Sequence, residues 1–227
     1  MNFFAQTYAV ARKDLAIELR TRESLNAAGA FAIAILLLFS FTFDVFSDET
    51  KEFSGGLLWL VFAFAGALVF NRGFARELPN ECLDTLLASP LSASALIIGK
   101  AGANFVMLLV VELVSIIVFG IFYNVEWLSQ TAGLSIVFAL ATWGISVLGA
   151  VFGALTVNLR LRELMLPIII YPMMIPLLIA AIELTKSLLN QQSITVPDQL
   201  LWARVLLVSD IVFTALAFVL ADSILVN

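Results

Sequence analysis

The chain has 227 residues, of which 62% are hydrophobic and 13% are charged, and its mean hydropathy is +1.04. A soluble domain of this length cannot hide so much apolar surface from water, so lipid must be its solvent. The formal net charge of -5 excludes the basic footprint of a nucleic-acid-binding protein. A single cysteine cannot form an intrachain disulfide. The chain also has no histidine, the commonest metal ligand and acid–base side chain. We therefore expect no catalytic site and no directly bound cofactor or metal.

The first 24 residues are too charged to cross a bilayer, but they have the pattern of an amphipathic helix. Lys13 and Arg20 lie on one side of this helix. The opposite side carries a narrow apolar arc formed by Phe4, Tyr8, Ala11, Leu15 and Leu19. The pattern predicts a helix that lies on the inner leaflet of the membrane. It serves either as a topological anchor or as a strut that relays motion from a cytoplasmic partner.

Six apolar stretches satisfy or approach the roughly 20 residues that a helix needs to cross a bilayer. They are Leu25–Phe43, Phe53–Asn71, Ala95–Tyr123, Leu134–Val157, Leu164–Ile182 and Leu206–Val226. Because these stretches are continuously apolar rather than alternating, they predict helices and not barrel strands. The expected fold is a single all-α integral membrane domain over residues 1–227, with six transmembrane helices.

The distribution of positive charge predicts the orientation, since cytoplasmic loops retain Lys and Arg. An inside amino terminus leaves only three cations outside, at Lys51, Lys186 and Arg204. The cytoplasmic set is larger and comprises Arg12, Lys13, Arg20, Arg22, Arg72, Arg76, Lys100, Arg160 and Arg162. Both termini are therefore predicted to be cytoplasmic.

The loop between spans two and three has the pattern of a short amphipathic helix. Pro79 and Pro90 bracket a segment in which Leu83, Leu86 and Leu87 share one helical face. One interpretation is a connecting loop whose leucines rest on the membrane surface. The other is a docking helix whose leucine face enters a groove on another protein.

No nucleotide site is predicted in this chain. Gly99 and Lys100 resemble the end of a phosphate-binding loop, but Ser94 replaces the required glycine and Ala101 replaces the Ser or Thr. Any ATP must therefore be bound by another chain. Cys82 is expected to be an inert thiol.

Two carboxyl groups are predicted to lie within the membrane, where a charged group costs at least about 2.5 kcal/mol. Glu112 falls in the middle of span three, and Asp210 falls a few residues from the outer end of span six. They either hold helices together as protonated or hydrogen-bonded groups, or they line a substrate path.

Glycines and prolines mark two further spans. Gly149 and Gly153 in span four form a GxxxG pair, which predicts close helix packing within the subunit first and dimerisation second. Span five contains Pro167, Pro172 and Pro176, and each proline removes an amide donor. We expect this helix to kink or break, as interrupted helices do in transporters.

Several of these segments together resemble the CcmB family, the permease subunits of the ABC transporter of bacterial cytochrome c maturation. The resemblance extends from Arg12 to about Leu184. The matching residues are Arg12 to Glu23, Leu58-Trp59, Phe64 to Gly66, Arg72 to Phe74, Glu77, Asn80 to Pro90, Gly99-Lys100, Asn104, Glu112, Pro167, Pro172 and Pro176. The order and spacing of these segments together carry the resemblance.

The resemblance implies the membrane domain of an ABC exporter in the bacterial inner membrane, with a coupling helix between spans two and three. It implies that two such chains pair with two copies of an ATPase, CcmA, and associate with CcmC and the small protein CcmD. It further implies that ATP hydrolysis drives release of the haem-loaded chaperone CcmE from CcmC. Haem is a candidate cargo, although the chain has no histidine to ligate its iron. The resemblance assigns ATPase coupling to Glu77, Leu83, Leu86, Leu87 and Pro90.

Two rival functions share the same architecture. The first is an ABC exporter subunit for a lipid, drug or glycan. The second is a passive membrane scaffold that binds haem-handling partners without being driven by ATP.

Overall fold

The computed structural model describes residues 2–43, 48–77, 90–123, 130–157, 159, 161–190 and 196–225. Within these ranges the regular structure is helical, in the order α1 (Phe3–Thr21), α2 (Glu23–Thr42), α3 (Asp48–Gly73), a 3-10 turn (Ala75–Glu77), α4 (Ala93–Tyr123), α5 (Thr131–Thr156), α6 (Arg162–Leu189) and α7 (Pro197–Leu225). Six of the helices, α2 to α7, are long and apolar enough to cross a membrane. The prediction of an all-α, multi-pass membrane protein is confirmed.

α4 nearly coincides with its predicted span, whereas α6 extends to Leu189, beyond the predicted end at Ile182. α4 runs without interruption through Lys100, Asn104 and Glu112, because all three polar side chains are turned into the bundle and are buried. α7 begins at Pro197, nine residues before the predicted start at Leu206. Asp210 consequently lies near the middle of α7 rather than near its outer end.

α5 is the central helix, and it packs against α3, α4, α6 and α7. Small residues make this position possible, since Gly144, Gly149 and Gly153 lie among many buried alanines and valines on the helix. α1 packs mainly against the beginning of α4. We call the end of the bundle that carries α1 the α1 end.

The glycine pair of α5 faces α3 of the same chain. A Cβ atom at Gly149 would lie 2.4 Å from Cγ of Phe70, whose ring covers the glycine. At Gly153 the nearest atom, Cδ2 of Phe74, would be 3.4 Å away. Gly149 therefore permits a close approach of α3 and α5, whereas Gly153 has room for a methyl group.

We expect Gly149→Ala to destabilise the protein by about 1–3 kcal/mol, because the added methyl group must displace the buried ring of Phe70. The thermal unfolding midpoint of the protein in detergent measures the effect. Gly153→Ala, one turn away on the same helix face, is the matched control and should leave the midpoint nearly unchanged. Equal midpoints for the two variants would contradict the packing explanation.

α6 is continuous from Arg162 to Leu189, with Pro167, Pro172 and Pro176 inside it. The helix is thus not broken at these prolines, and a kink remains a prediction. Pro172 and Pro176 are exposed on the outside of the bundle, while Ile170, Met174 and Leu177 face its core. The rings of Pro172 and Pro176 therefore lie away from the packed face of the helix.

Candidate functional site

α1 is held at close range on the beginning of α4. A Cβ atom at Gly99 would lie 2.6 Å from Cβ of Val10 and 2.8 Å from the backbone oxygen of Thr7. Such distances are shorter than real Cβ contacts, so only glycine allows the two helices to approach so closely. One turn later, Gly102 faces Ala11 of α1 at an ordinary distance of 3.9 Å.

Beside this contact, four charged side chains from three elements form an ion-pair network, which we call the lysine cluster. It consists of Lys13 and Asp14 of α1, Glu77 of the 3-10 turn and Lys100 of α4. Nζ of Lys100 lies 3.1 Å from Oδ2 of Asp14 and 3.0 Å from Oε1 of Glu77. Lys13 also pairs with Asp14, at 3.3 Å, and with Glu77. The cluster therefore joins α1 to the ends of α3 and α4 that flank the loop.

Lys100 is the most buried member of the cluster, with 2% of its side chain exposed. Its ammonium group also donates a hydrogen bond of 2.8 Å to the backbone oxygen of Gly73 and lies 4.5 Å from the centre of the Phe74 ring. A buried ammonium group needs such partners, because desolvation alone disfavours its charge. Burial also lowers the pKa of Lys13, but the carboxylates of Asp14 and Glu77 outweigh this effect and raise it.

A second buried ion pair closes the corner between α1 and α2. Nη2 of Arg76 lies 2.5 Å from Oε2 of Glu18 and donates a further hydrogen bond of 2.9 Å to Ser24. The backbone N–H of Leu25 donates to the other oxygen of Glu18 at 2.9 Å. Burial tends to raise the pKa of Glu18, but these donors and the guanidinium charge hold it below its usual value. The corner itself is Arg22, which has a left-handed backbone with φ of 54°.

α1 is bonded to both ends of the loop between α3 and α4. Lys13 pairs with Glu77, the last described residue before the loop. Nε2 of Gln6 donates a hydrogen bond of 2.8 Å to the backbone oxygen of Pro90, the first described residue after it. Oγ of Ser92 donates to Oε1 of the same glutamine at 3.2 Å. α1 therefore contacts both ends of the loop.

Of the five predicted coupling residues, two are described. Glu77 is buried in the lysine cluster rather than presented at the surface: its Oε1 pairs with Lys13 and Lys100, and its Oε2 is buried without a hydrogen-bond partner among the described residues. Pro90 is exposed and bonded to Gln6. Leu83, Leu86 and Leu87 lie outside the described residues, as does Cys82.

The two predicted intramembrane carboxyl groups lie in different environments. Oγ1 of Thr142 donates a hydrogen bond of 2.5 Å to Oε1 of Glu112, which links α5 to α4. Glu112 also lines a cleft of about 320 Å³ between these helices. Asp210 lies against Gly144 of α5, and neither of its oxygens has a hydrogen-bond partner among the described residues. The structure does not bring Glu112 and Asp210 into a common site.

The sequence pattern did not reveal Asp14 and Glu18 as packing residues. Together with Val10 they occupy one face of α1 at intervals of four residues, and this face meets the bundle. The predicted apolar arc lies beside this face, and its residues Phe4, Tyr8 and Leu19 are 83%, 66% and 67% exposed. The sequence places these two carboxylates at i and i+4 on one face of the helix, but this spacing alone does not identify their partners.

Comparison with known proteins gives a consistent result. Residues 5–227 match the model of the family described as CcmB protein. Heme exporter protein B of Rhodobacter capsulatus is 26% identical over 189 residues, covering 83% of this chain and 86% of the relative. The protein of the same name from Paracoccus denitrificans is 26% identical over 183 residues, or 78% and 81% of the two chains. That from Haemophilus influenzae is 24% identical over 194 residues, covering 83% of each. With nearly the whole chain matched by the family model, the protein belongs to the CcmB family.

Proposed function

We propose that this chain is the membrane permease subunit of an ABC transporter complex for cytochrome c maturation. The family membership and the names of its relatives support a role in haem export. In this proposal a separate ATPase subunit binds and hydrolyses ATP, and this chain converts the resulting movement into release of the haem-loaded chaperone. The chain sits in the bacterial inner membrane with both termini in the cytoplasm.

The observation that carries the proposal is the bonding of α1 to both ends of the loop between Glu77 and Pro90. An ATPase that pushes on this loop would move a unit made of the loop and α1, rather than a loose connection. This arrangement favours the docking interpretation of Leu83, Leu86 and Leu87 over that of a passive connecting loop.

Three contacts provide routes from this unit into the membrane. The 3-10 turn that contains Glu77 directly follows α3, and Lys100 belongs to the first turns of α4. At the beginning of α1, the ring of Phe3 lies 5.7 Å from that of Phe218 in α7. Movement at the α1 end is thereby communicated to α3, α4 and α7. The three prolines of α6 supply a bend in this scheme.

The remaining partners follow from the same proposal. Two copies of this chain pair in the complex, together with proteins similar to CcmC and CcmD and with the haem chaperone CcmE. In this proposal the role of the chain in handling haem is mechanical and the partners ligate the iron; the chain has no histidine, one of the usual axial ligands of haem.

The test is the double substitution of Leu83 and Leu86 by Asp. We expect it to abolish co-purification of the ATPase subunit with this chain in mild detergent, because two charges cannot enter an apolar groove. Thr85→Asp is the matched control, since Thr85 points away from the leucine face in the predicted helix. Unchanged assembly of the double variant would contradict the proposal.

A second experiment separates this function from its rivals. Cytochrome c production is measured in a strain that lacks this chain and in one that carries an ATPase subunit unable to hydrolyse ATP. Loss of cytochrome c in both strains supports the proposal. Normal cytochrome c without this chain would favour an exporter of another substrate, and full production with the inactive ATPase would favour a passive scaffold.

A further inference from the structure

In α1 and its corner with α2, the acidic and the basic side chains differ in whether they have a partner. Residues 2–24 contain three carboxylates, and each is paired with a cation from elsewhere in the bundle. Asp14 pairs with Lys100, Glu18 with Arg76, and Glu23 with Arg72. Asp14 and Glu18 are turned inward, whereas Glu23 is paired at the surface, so all three negative charges of this segment are neutralised.

The positive charge that remains points outward. Lys13 is paired in the lysine cluster, which leaves Arg12, Arg20 and Arg22. All three are exposed, and none forms an ion pair with another described residue. The exposed carboxylate of Asp222, at the end of α7, lies one turn from Phe218, whose ring contacts Phe3. Asp222 is therefore near the beginning of α1, whereas Arg20 and Arg22 are at its end.

Exposed apolar side chains accompany these cations. Phe4, Tyr8 and Leu19 form the outward part of the apolar arc of α1. Arg12 follows Ala11 of this arc and borders it on the helix surface. A helix that presents an apolar strip beside unpaired cations, and that lies at the end of a membrane-spanning bundle, fits the headgroup region of a bilayer. Anionic headgroups complement its charge.

We propose that Arg12, Arg20 and Arg22 bind anionic phospholipid headgroups of the leaflet on which α1 lies. The guanidinium group suits this role, because its planar set of donors forms paired hydrogen bonds with a phosphate. Phe4, Tyr8 and Leu19 enter the acyl-chain boundary beside the headgroups. α1 is thereby held by the protein on one side and by anionic lipid on the other. The proposal does not depend on the function proposed above.

The test uses the full chain in nanodiscs of phosphatidylcholine and phosphatidylglycerol. Cys82→Ser removes the native thiol, and Ala9→Cys places a fluorescent label on the exposed side of α1. Quenching by brominated phosphatidylglycerol is compared with quenching by the same fraction of brominated phosphatidylcholine. We expect phosphatidylglycerol to be enriched at the label by about fivefold or more, since each surface cation contributes a factor of this size. High salt should reduce the enrichment.

The triple variant R12Q/R20Q/R22Q should lose this enrichment while retaining quenching by phosphatidylcholine. Arg204→Gln, which removes an exposed cation near the start of α7 at the opposite end of the bundle, is the matched control and should change nothing. Equal quenching by the two lipids in the labelled parent chain would overturn the proposal. So would an enrichment that persists in the triple variant, which would mean that other groups recruit the lipid.

Discussion

Replacing Lys100 by methionine is expected to destabilise the protein by about 3 kcal/mol. The substitution keeps an unbranched side chain of similar length but removes a positive charge that is only 2% exposed. Among the described residues, Asp14 and Glu77 would then have Lys13 as their only cation, and the backbone oxygen of Gly73 would lose the hydrogen bond from Lys100. The thermal unfolding midpoint in detergent and the rate of proteolytic release of α1 measure the loss.

Two further variants test whether the effect of Lys100→Met depends on the burial of the lost charge. Arg72→Met breaks the exposed pair with Glu23 at the same end of the bundle and should change stability by at most about 1 kcal/mol. Adding Asp14→Asn to Lys100→Met should recover part of the stability, because it removes one of the carboxylates left without a partner. If Lys100→Met and Arg72→Met had equal effects, the lysine cluster would not be the joint that holds α1.

The transmembrane helices were predictable because the bilayer imposes a length and an apolar composition that a single sequence displays directly. Even so, the predicted start of α7 at Leu206 is wrong. Arg204 interrupts the apolar run, and the prediction therefore places the boundary after it. A charged side chain near a helix end can reach the headgroup region without ending the helix. Hydropathy therefore locates a span better than it locates the ends of that span.

The ion pairs at the α1 end could not be predicted in the same way. Lys100 and Glu77 looked like loop and boundary charges, because nothing in their local sequence identifies a partner. The partners come from α1. Lys13 is more than 60 residues from Glu77 in the sequence, and Asp14 is more than 80 residues from Lys100. Pairing over such separations depends on the tertiary arrangement, whereas helical periodicity reports only neighbours within a few residues.

Gly99 lies where α1 packs against α4, and its substitution is the second change that we expect to have a large effect. Gly99→Ala is expected to force α1 away from α4, because the backbone oxygen of Thr7 would lie 2.8 Å from the new methyl group and cannot turn aside like a side chain. We expect a loss of about 1–3 kcal/mol and faster proteolytic release of α1. The bonds from Lys13 to Glu77 and from Gln6 to Pro90 should weaken together, since both require α1 in its present position.

Gly102→Ala is the matched control for this effect. It adds the same methyl group one turn away on the same helix, where the nearest atom of α1 is 3.9 Å distant. Both substitutions gain up to about 1 kcal/mol of helix propensity, so their difference isolates the steric conflict with α1. Gly102→Ala should thus be neutral or stabilising, while Gly99→Ala destabilises. If the two variants released α1 at the same rate, contact at Gly99 would not determine where α1 lies, and the link between α1 and the loop would need another origin.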